Sequence, residues 1–107
     1  HSVFLLPLTA GRYRVRCRFG IYREAAAQTK PSDGVQFRIH GGRDPGSPIV
    51  WENTIDAAGI GAGEREADFE VELLRDDSLV FETLAGATVD NDWAYWRDLA
   101  LEPLRAR

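Results

Sequence analysis

The chain of 107 residues contains one cysteine and two histidines, and this scarcity limits the chemistry it can perform. A single thiol, Cys17, cannot form an internal disulfide, and its place in an alternating strand pattern favours a buried, inert side chain. Nucleophilic catalysis by a triad needs a histidine base, and the two candidates are His1 at the terminus and His40 on the polar side of a predicted strand. We therefore predict that this domain is not an enzyme.

The chain also lacks an excess of positive charge and a long apolar run. It has 13 Lys and Arg against 17 Asp and Glu, a net charge of −4, which argues against nucleic acid as a partner. No apolar run approaches the ~20 residues that span a bilayer, so we predict no direct membrane insertion. The length of 107 residues is that of one domain, and the lack of a long apolar run predicts that it is soluble. Because the chain begins at His1 rather than Met, we also expect it to be a fragment of a larger protein.

What the sequence has in abundance is alternation with a period of two, which is typical of β-strands. In "RYRVRCRFGI" apolar residues alternate with arginines, and six further segments are predicted strands. The predicted strands are 2–8, 12–21, 35–40, 49–55, 67–74, 79–84 and 93–101, with at most one helical turn at 24–28. Pro7 favours an edge position or a strand end for the first, and "LVFETL" is apolar on both faces, as in a central strand. The pattern predicts an all-β, antiparallel jelly-roll β-sandwich of seven or eight strands.

Two predicted strands carry rows of like charge. The outward positions of one are all arginine: Arg12, Arg14, Arg16 and Arg18. Like charges roughly 7 Å apart repel within a Debye length of ~8 Å. The outward positions of another are acidic: Asp68, Glu70 and Glu72. We predict that the two strands are antiparallel neighbours on a solvent-facing sheet. The alternative, if they lie in different sheets, is that the arginines form an anion-binding stripe.

Several carboxylates near predicted turns are candidates for metal binding or acid–base chemistry. Asp90, Asn91 and Asp92, with Asp33 or the Asp76/Asp77 pair, offer the oxygen ligands that calcium prefers. The EF-hand spacing is absent, and hydrogen bonds from these side chains to the loop backbone are the favoured interpretation. We predict no cofactor, with a structural calcium as the alternative. Glu52, Asp56 and the Asp90/Asp92 pair could supply glycosidase carboxylates, but nothing in the sequence brings two of them to a separation of about 5–9.5 Å.

Aromatic residues are the most informative candidates for a binding site. Trp93 and Trp96 differ in strand parity, so both can point the same way only if a bulge intervenes. An exposed ring beside carboxylates and an arginine is the usual chemistry of sugar recognition. The predicted ligand-binding residues are Trp96, Tyr95, Asp92, Trp51 and Asp90. We expect Trp93, Leu99 and Leu101 to belong to the core, and Asp90, Asp92, Tyr95 and Trp96 to line the rim.

Two segments carry a resemblance to a known family. "SDGVQFRIH" followed some fifty residues later by "DNDWAYWRDLAL" resembles the galactose-binding-like jelly rolls of bacterial carbohydrate-active proteins, especially the NPCBM type of carbohydrate-binding module. In that family Asp92 is expected to tie down a loop and Trp93 to close the core. The first strand here is short by comparison, which leaves open an additional N-terminal strand outside the 107 residues.

The resemblance implies a noncatalytic carbohydrate-binding module, appended to a glycosidase or glycosyltransferase. Its expected partners are a glycan and a neighbouring domain of the parent protein, and its expected location is extracytoplasmic, either periplasmic or secreted. The alternative is a structural β-sandwich that contacts a neighbouring domain or subunit without binding sugar.

Overall fold

Seven β-strands make up the regular structure of the chain. A computed structural model describes residues 2–21, 34–56, 63–85 and 94–104. The strands in these ranges are β1 (Ser2–Leu8), β2 (Gly11–Ile21), β3 (Gly34–His40), β4 (Ile49–Asp56), β5 (Arg65–Leu73), β6 (Asp77–Ala85) and β7 (Ala94–Leu104). The predicted all-β class and strand number are confirmed, and the helical turn predicted at 24–28 lies outside the described residues.

The strands form two antiparallel sheets. The four-stranded sheet has the order β1-β6-β3-β4, and the three-stranded sheet has the order β5-β2-β7. Among the described strands only β3 and β4 follow each other within one sheet, so the chain otherwise passes between the sheets at every connection. The two sheets are therefore built together from the whole length of the chain, as in a β-sandwich.

The core lies between the sheets and follows the predicted alternation. Inward positions of β2, β3, β5 and β6 are buried, apart from the partly buried Phe69, while the residues between them face outward. The buried apolar side chains are Tyr13, Val15, Cys17, Phe19, Val35, Phe37, Ile39, Ile55, Ala67, Val71, Leu73, Leu79 and Phe81. A side chain such as Phe37 contributes roughly 1.5–3 kcal/mol when it leaves water, so this cluster is the main source of stability.

Two predictions about position within the four-stranded sheet are confirmed. In the described sheet β1 is an edge strand that pairs only with β6, and it carries Pro7, a residue that sheets confine to such positions. Strand β6 is central, between β1 and β3. Its Leu79 and Phe81 are buried in the core, and Val80 on its other face is half-buried.

A β-bulge in β7 changes which of its side chains point toward the core. Arg16 pairs with Ala100 but Arg18 pairs with Arg97, so Asp98 and Leu99 together oppose the single residue between the two arginines. Asp98 has φ 55°, a left-handed conformation that aspartate tolerates better than most residues. The extra residue reverses the parity of the strand.

The bulge corrects one core prediction and confirms another. Leu101 packs against the core as predicted, opposite Val15. Leu99 is 39% exposed, so its predicted core position is wrong. The error arises because Leu99 is itself one of the two residues at the bulge, where strict alternation does not hold. Trp93 lies outside the described residues.

The two charged rows are neighbours, as predicted. Strand β2 pairs with β5 in antiparallel register, and each arginine has an acid directly opposite: Arg12↔Glu72, Arg14↔Glu70, Arg16↔Asp68 and Arg18↔Glu66. Both rows lie on the outer face of the three-stranded sheet, and most of their side chains are exposed. This arrangement removes most of the like-charge penalty and disfavours a continuous anion-binding stripe.

One end of the sandwich gathers the ends of several strands. Ile21 at the end of β2 pairs with Ala94 at the start of β7, and Val35 near the start of β3 pairs with Ile55 near the end of β4. We call this the Ile21 end. Arg65, the first residue of β5, donates a hydrogen bond of 3.0 Å to the Thr54 carbonyl oxygen, so both sheets meet here.

Candidate functional site

Trp51 and Trp96 pack between the sheets, in one aromatic cluster. The Trp96 ring lies 5.2 Å from Phe81 and 5.3 Å from Phe37, centroid to centroid. The Trp51 ring lies 5.0 Å from Phe19 and 6.0 Å from Trp96. Both indoles are half-buried and contact the core. The expected rim position of Trp96 is therefore corrected, because residues before the bulge present their even-numbered side chains to the core.

The neighbouring residue, Tyr95, points to the outer face of the three-stranded sheet and belongs to a polar cluster. Its hydroxyl donates a hydrogen bond of 2.9 Å to Glu64 Oε2. The other oxygen, Oε1, accepts from Arg97 Nη2 at 2.6 Å and from Arg18 Nη1 at 3.0 Å. We call these four residues the Glu64 cluster. The Glu64 side chain is only 16% exposed, whereas both guanidinium groups are about half exposed.

The offset of the ion pairs along the charged rows explains why Glu64 takes part. Arg12 pairs with Glu70, Arg14 with Asp68, and Arg18 with Glu64. In each case the partner lies two residues from the acid directly opposite, toward the Ile21 end. Such diagonal neighbours are within reach of long side chains. Arg18 is the last arginine of the row, so its diagonal partner lies just before β5 begins.

Backbone geometry brings Tyr95 close to β2. Tyr95 is directly opposite Gly20 in the β2–β7 pairing. A Cβ atom at Gly20 would lie 2.8 Å from the Tyr95 hydroxyl oxygen and 3.1 Å from Cζ. Glycine is therefore needed at this position for the tyrosine ring to lie over the backbone and reach Glu64.

The electrostatics of the cluster keep Glu64 ionised. The hydrogen bond from Arg97, followed by those from Arg18 and Tyr95, lowers the pKa of Glu64 to about 2. The same contact raises the pKa of Arg97 above its usual value. Arg18 and Arg97 are directly opposite each other in the β2–β7 pairing, and like charges so placed are destabilising unless an anion lies between them. Glu64 supplies that anion.

His40 and Cys17 have structural surroundings. The His40 ring lies 3.1 Å, Nε2 to Oε1, from Glu82 on the outer face of the four-stranded sheet, and both side chains are largely buried. Burial raises the pKa of the Cys17 thiol to about 11, so the thiolate is scarce at neutral pH. His40 is therefore bound to a neighbouring strand through Glu82, and Cys17 is a buried thiol of the core.

The described carboxylates of the 74–77 turn bond to loop backbone. Asp76 accepts a hydrogen bond of 2.8 Å from the Ala10 amide. Asp77 Oδ1 accepts from the amides of Arg43 and Ser78 at 3.1 and 2.8 Å, and these bonds lower the pKa of Asp77. This is the loop-capping interpretation given above. Within residues 2–21, 34–56, 63–85 and 94–104, no three His, Cys, Asp or Glu side chains form a group that could hold a metal ion.

The predicted site residues therefore separate into three sets. Tyr95 lies in the Glu64 cluster, Trp51 and Trp96 lie together in the interior, and Asp90 and Asp92 lie outside the described residues. Sequence reasoning missed the roles of Glu64 and Arg97 and placed Arg18 only in the arginine row. The sequence does carry a signal for Glu64, because "EREADFEVE" continues the acidic alternation back from Glu72 to Glu64.

Comparison with known proteins identifies no relative: no family model, curated protein or solved structure matches the chain. The resemblance to galactose-binding-like modules stays a prediction. No helix in the described ranges has the length and apolar character needed to cross a membrane.

Proposed function

We propose that the protein is a noncatalytic carbohydrate-binding module, appended to a glycosidase or glycosyltransferase that acts outside the cytoplasm. The ligand-binding residues are Tyr95, Glu64, Arg18 and Arg97. The observation that carries the proposal is the Glu64 cluster, in which a carboxylate, two guanidinium groups and an aromatic ring converge at the Ile21 end.

The chemistry of the cluster suits a sugar. Carboxylate and guanidinium groups can each contact two neighbouring hydroxyls at once, and an aromatic ring covers the C–H surface of a pyranose. The groups are also held in place before a ligand arrives, since Arg18, Tyr95 and Arg97 come from paired strands and each is hydrogen-bonded to Glu64. Such preorganisation lowers the entropy cost of binding.

The interior tryptophans support this surface from below. Trp96 follows Tyr95 on β7 and packs against Phe19, whose ring centroid lies 5.8 Å away. The following residue, Arg97, again faces outward. Packing in the aromatic core therefore fixes the position of the strand that carries Tyr95 and Arg97. In this proposal Trp51 and Trp96 stabilise the binding surface and do not contact the sugar themselves.

A glycan panel tests the proposal. We expect some oligosaccharide to bind at or below millimolar concentration, as measured by isothermal calorimetry, and Tyr95→Phe to weaken that binding. Tyr13→Phe is the matched control, because the Tyr13 hydroxyl also makes a hydrogen bond, 2.7 Å to the Thr9 carbonyl oxygen, but at the other end of the sandwich. Absence of binding across neutral and acidic glycans would overturn the proposal.

A second candidate function, contact with a neighbouring domain or subunit, is favoured by the outer face of the four-stranded sheet. Leu5 opposes Val80 there, Val80 opposes His40, and His40 opposes Ile49, which forms a largely apolar row across all four strands. Leu5 and Ile49 are 52% and 45% exposed. Large exposed apolar patches on soluble domains are typical of interaction surfaces.

Substitution of this face separates the two candidates. Leu5→Lys should leave glycan binding unchanged, because β1 belongs to the sheet opposite the Glu64 cluster. If the face covers a neighbour, the same substitution should release the domain from the parent protein, measured as increased protease sensitivity of their junction. Unchanged sensitivity would argue against the second candidate.

A further inference from the structure

The Glu64 cluster differs from the rest of the charged face in one respect. Of the four β2 arginines, only Arg18 has another arginine opposite it in β7; the residues opposite Arg12, Arg14 and Arg16 are Leu104, Glu102 and Ala100. The opposed pair brings two positive charges together at Glu64, the carboxylate that both guanidinium groups contact, while Glu66 lies opposite Arg18 on the other side, in β5. The nearest further acid on β7, Asp98, approaches Arg97 Nε only to 3.8 Å and is mostly exposed.

Both guanidinium groups retain donors for a ligand. In the described part of the chain, Arg18 and Arg97 each bond to the same oxygen, Glu64 Oε1, through one nitrogen. A guanidinium carries five N–H donors in a planar fork, so this one bond uses only part of the capacity of each arginine, and both side chains are about half exposed. Two such forks side by side match the two oxygens of a carboxylate.

Glu64 holds the forks in position. It bonds to Arg18, Arg97 and Tyr95 together, so the two guanidinium groups are fixed relative to each other and to the aromatic ring. In the absence of that contact, two opposed arginines would separate because of their mutual repulsion. Glu64 thus positions the two arginines, and the arginines are the groups available to an anionic part of the ligand.

We infer that the glycan bound by this module carries a carboxylate, as in a uronic acid residue, and that Arg18 and Arg97 bind this carboxylate together. The inference rests on the function proposed above. The sugar ring lies beside Tyr95, and the carboxylate takes the donors that Glu64 leaves unused.

The test is an NMR titration of the isotope-labelled domain with D-glucuronate and, separately, with D-glucose at the same ionic strength. We expect glucuronate to shift the amide signals around Arg18 and Arg97 and to bind at least tenfold more tightly than glucose. Arg97→Gln should remove that preference. Arg97→Lys should keep little of the preference for glucuronate over glucose, because lysine has the charge but lacks the planar fork of donors.

Arg14→Gln is the matched control. It removes an arginine of the same row and the same charge, but Arg14 bonds to Asp68 and lies outside the cluster. We expect it to keep the preference for glucuronate. An equal loss in Arg14→Gln and Arg97→Gln would indicate general electrostatic attraction and overturn the inference.

The failures of the two proposals are distinguishable. Glucose binding as tightly as glucuronate, at the same amides, would overturn the carboxylate inference and leave the carbohydrate-binding function standing. No response to either sugar, together with no binding in the glycan panel, would overturn both.

Discussion

Arg14 binds the carboxylate of Asp68, although Glu70 is the residue directly opposite it on β5. The contact is bidentate, with Nε to Oδ1 at 3.0 Å and Nη2 to Oδ2 at 2.7 Å. It raises the pKa of Arg14 and lowers that of Asp68. Because Arg12 and Arg18 show the same offset, the charged face behaves as a diagonal ladder rather than a set of direct cross-strand pairs.

The diagonal pairing predicts which residues are energetically coupled. A double-mutant cycle on Arg14→Gln and Asp68→Asn should give a measurable coupling free energy in chemical denaturation. The cycle on Arg14→Gln and Glu70→Gln should give a smaller one, although Glu70 is the opposite residue. Both couplings should shrink at high salt, because the groups are exposed. A larger coupling with Glu70 would contradict the diagonal arrangement.

Gly20→Ala should destabilise the fold and disrupt the Glu64 cluster. The new methyl group would lie 2.8 Å from the Tyr95 hydroxyl oxygen, so the ring must move away from Glu64. We expect a loss of about 1–3 kcal/mol in the free energy of unfolding, as for other overpacked positions, measured by urea denaturation. Glycan binding should fall as well.

Gly46→Ala is the control for that substitution. No heavy atom lies within 4 Å of the position its Cβ would take, so the change should be close to neutral. Adding Tyr95→Phe to Gly20→Ala should recover part of the stability, because the nearest clashing atom is removed. Equal stability of Gly20→Ala and Gly46→Ala would show that the ring has room to shift at no cost.

The fold was predictable because its signals are local and repeated. Alternation in β2 and β5 indicates strands, and the arginine and acidic rows on their outward positions indicate that the two strands pair. The pairing prediction succeeded because an unanswered row of four arginines is unfavourable in any sheet. The central position of β6 followed in the same way from apolar residues on both of its faces.

The site was harder to predict because it depends on contacts between distant parts of the chain. Glu64 is 46 residues from Arg18 and 33 from Arg97, and it lies in a connection rather than a strand. No glycine or proline marks the bulge at Asp98 and Leu99 in the sequence, yet the bulge determines which β7 side chains face outward. Period-two counting alone therefore assigned Trp96 to the rim and Leu99 to the core.

Stability should fall in acid partly through Glu64. Its pKa is lowered on folding from 4.5 to about 2, so the folded state favours the ionised form. This contribution is fully present above about pH 4.5 and is lost as the pH falls through 2. Glu64→Gln should be less stable than the wild type at neutral pH, and the difference should narrow between pH 4.5 and 2 in urea denaturation.

Asp68→Asn helps to interpret that experiment. The pKa of Asp68 is also lowered by its arginine partner, so this variant should lose part of the acid dependence too. Glycan affinity distinguishes the two variants, since only Glu64 lies in the proposed site. A difference between wild type and Glu64→Gln that stays constant from neutral pH to pH 2 would contradict the lowered pKa of Glu64.

Phe37 is the most direct test of the core. Its side chain is fully buried, and its ring lies 4.8 Å from Phe19 and 5.3 Å from Trp96. Phe37→Ala should cost about 3–5 kcal/mol, through lost burial and a cavity. Leu74→Ala is the control, since Leu74 is 89% exposed and should change stability by less than about 0.5 kcal/mol. Thermal unfolding measures both, and similar melting temperatures would contradict the assigned core.

Substitutions of Trp96 distinguish a role in the core from direct contact with the ligand. Its ring packs against Phe19, Phe37 and Phe81, and its Nε1 is buried without a hydrogen-bond partner among the described residues. Trp96→Ala should therefore cost about 3–5 kcal/mol. Trp96→Phe should cost much less, because phenylalanine keeps an apolar ring and removes a donor whose burial is itself unfavourable by about 1–3 kcal/mol.

If Trp96 instead contacted sugar as an exposed ring, Trp96→Ala would keep its melting temperature and lose glycan binding. Measuring both quantities on both variants decides between these roles, and we expect Trp96→Phe to bind glycan as the wild type does.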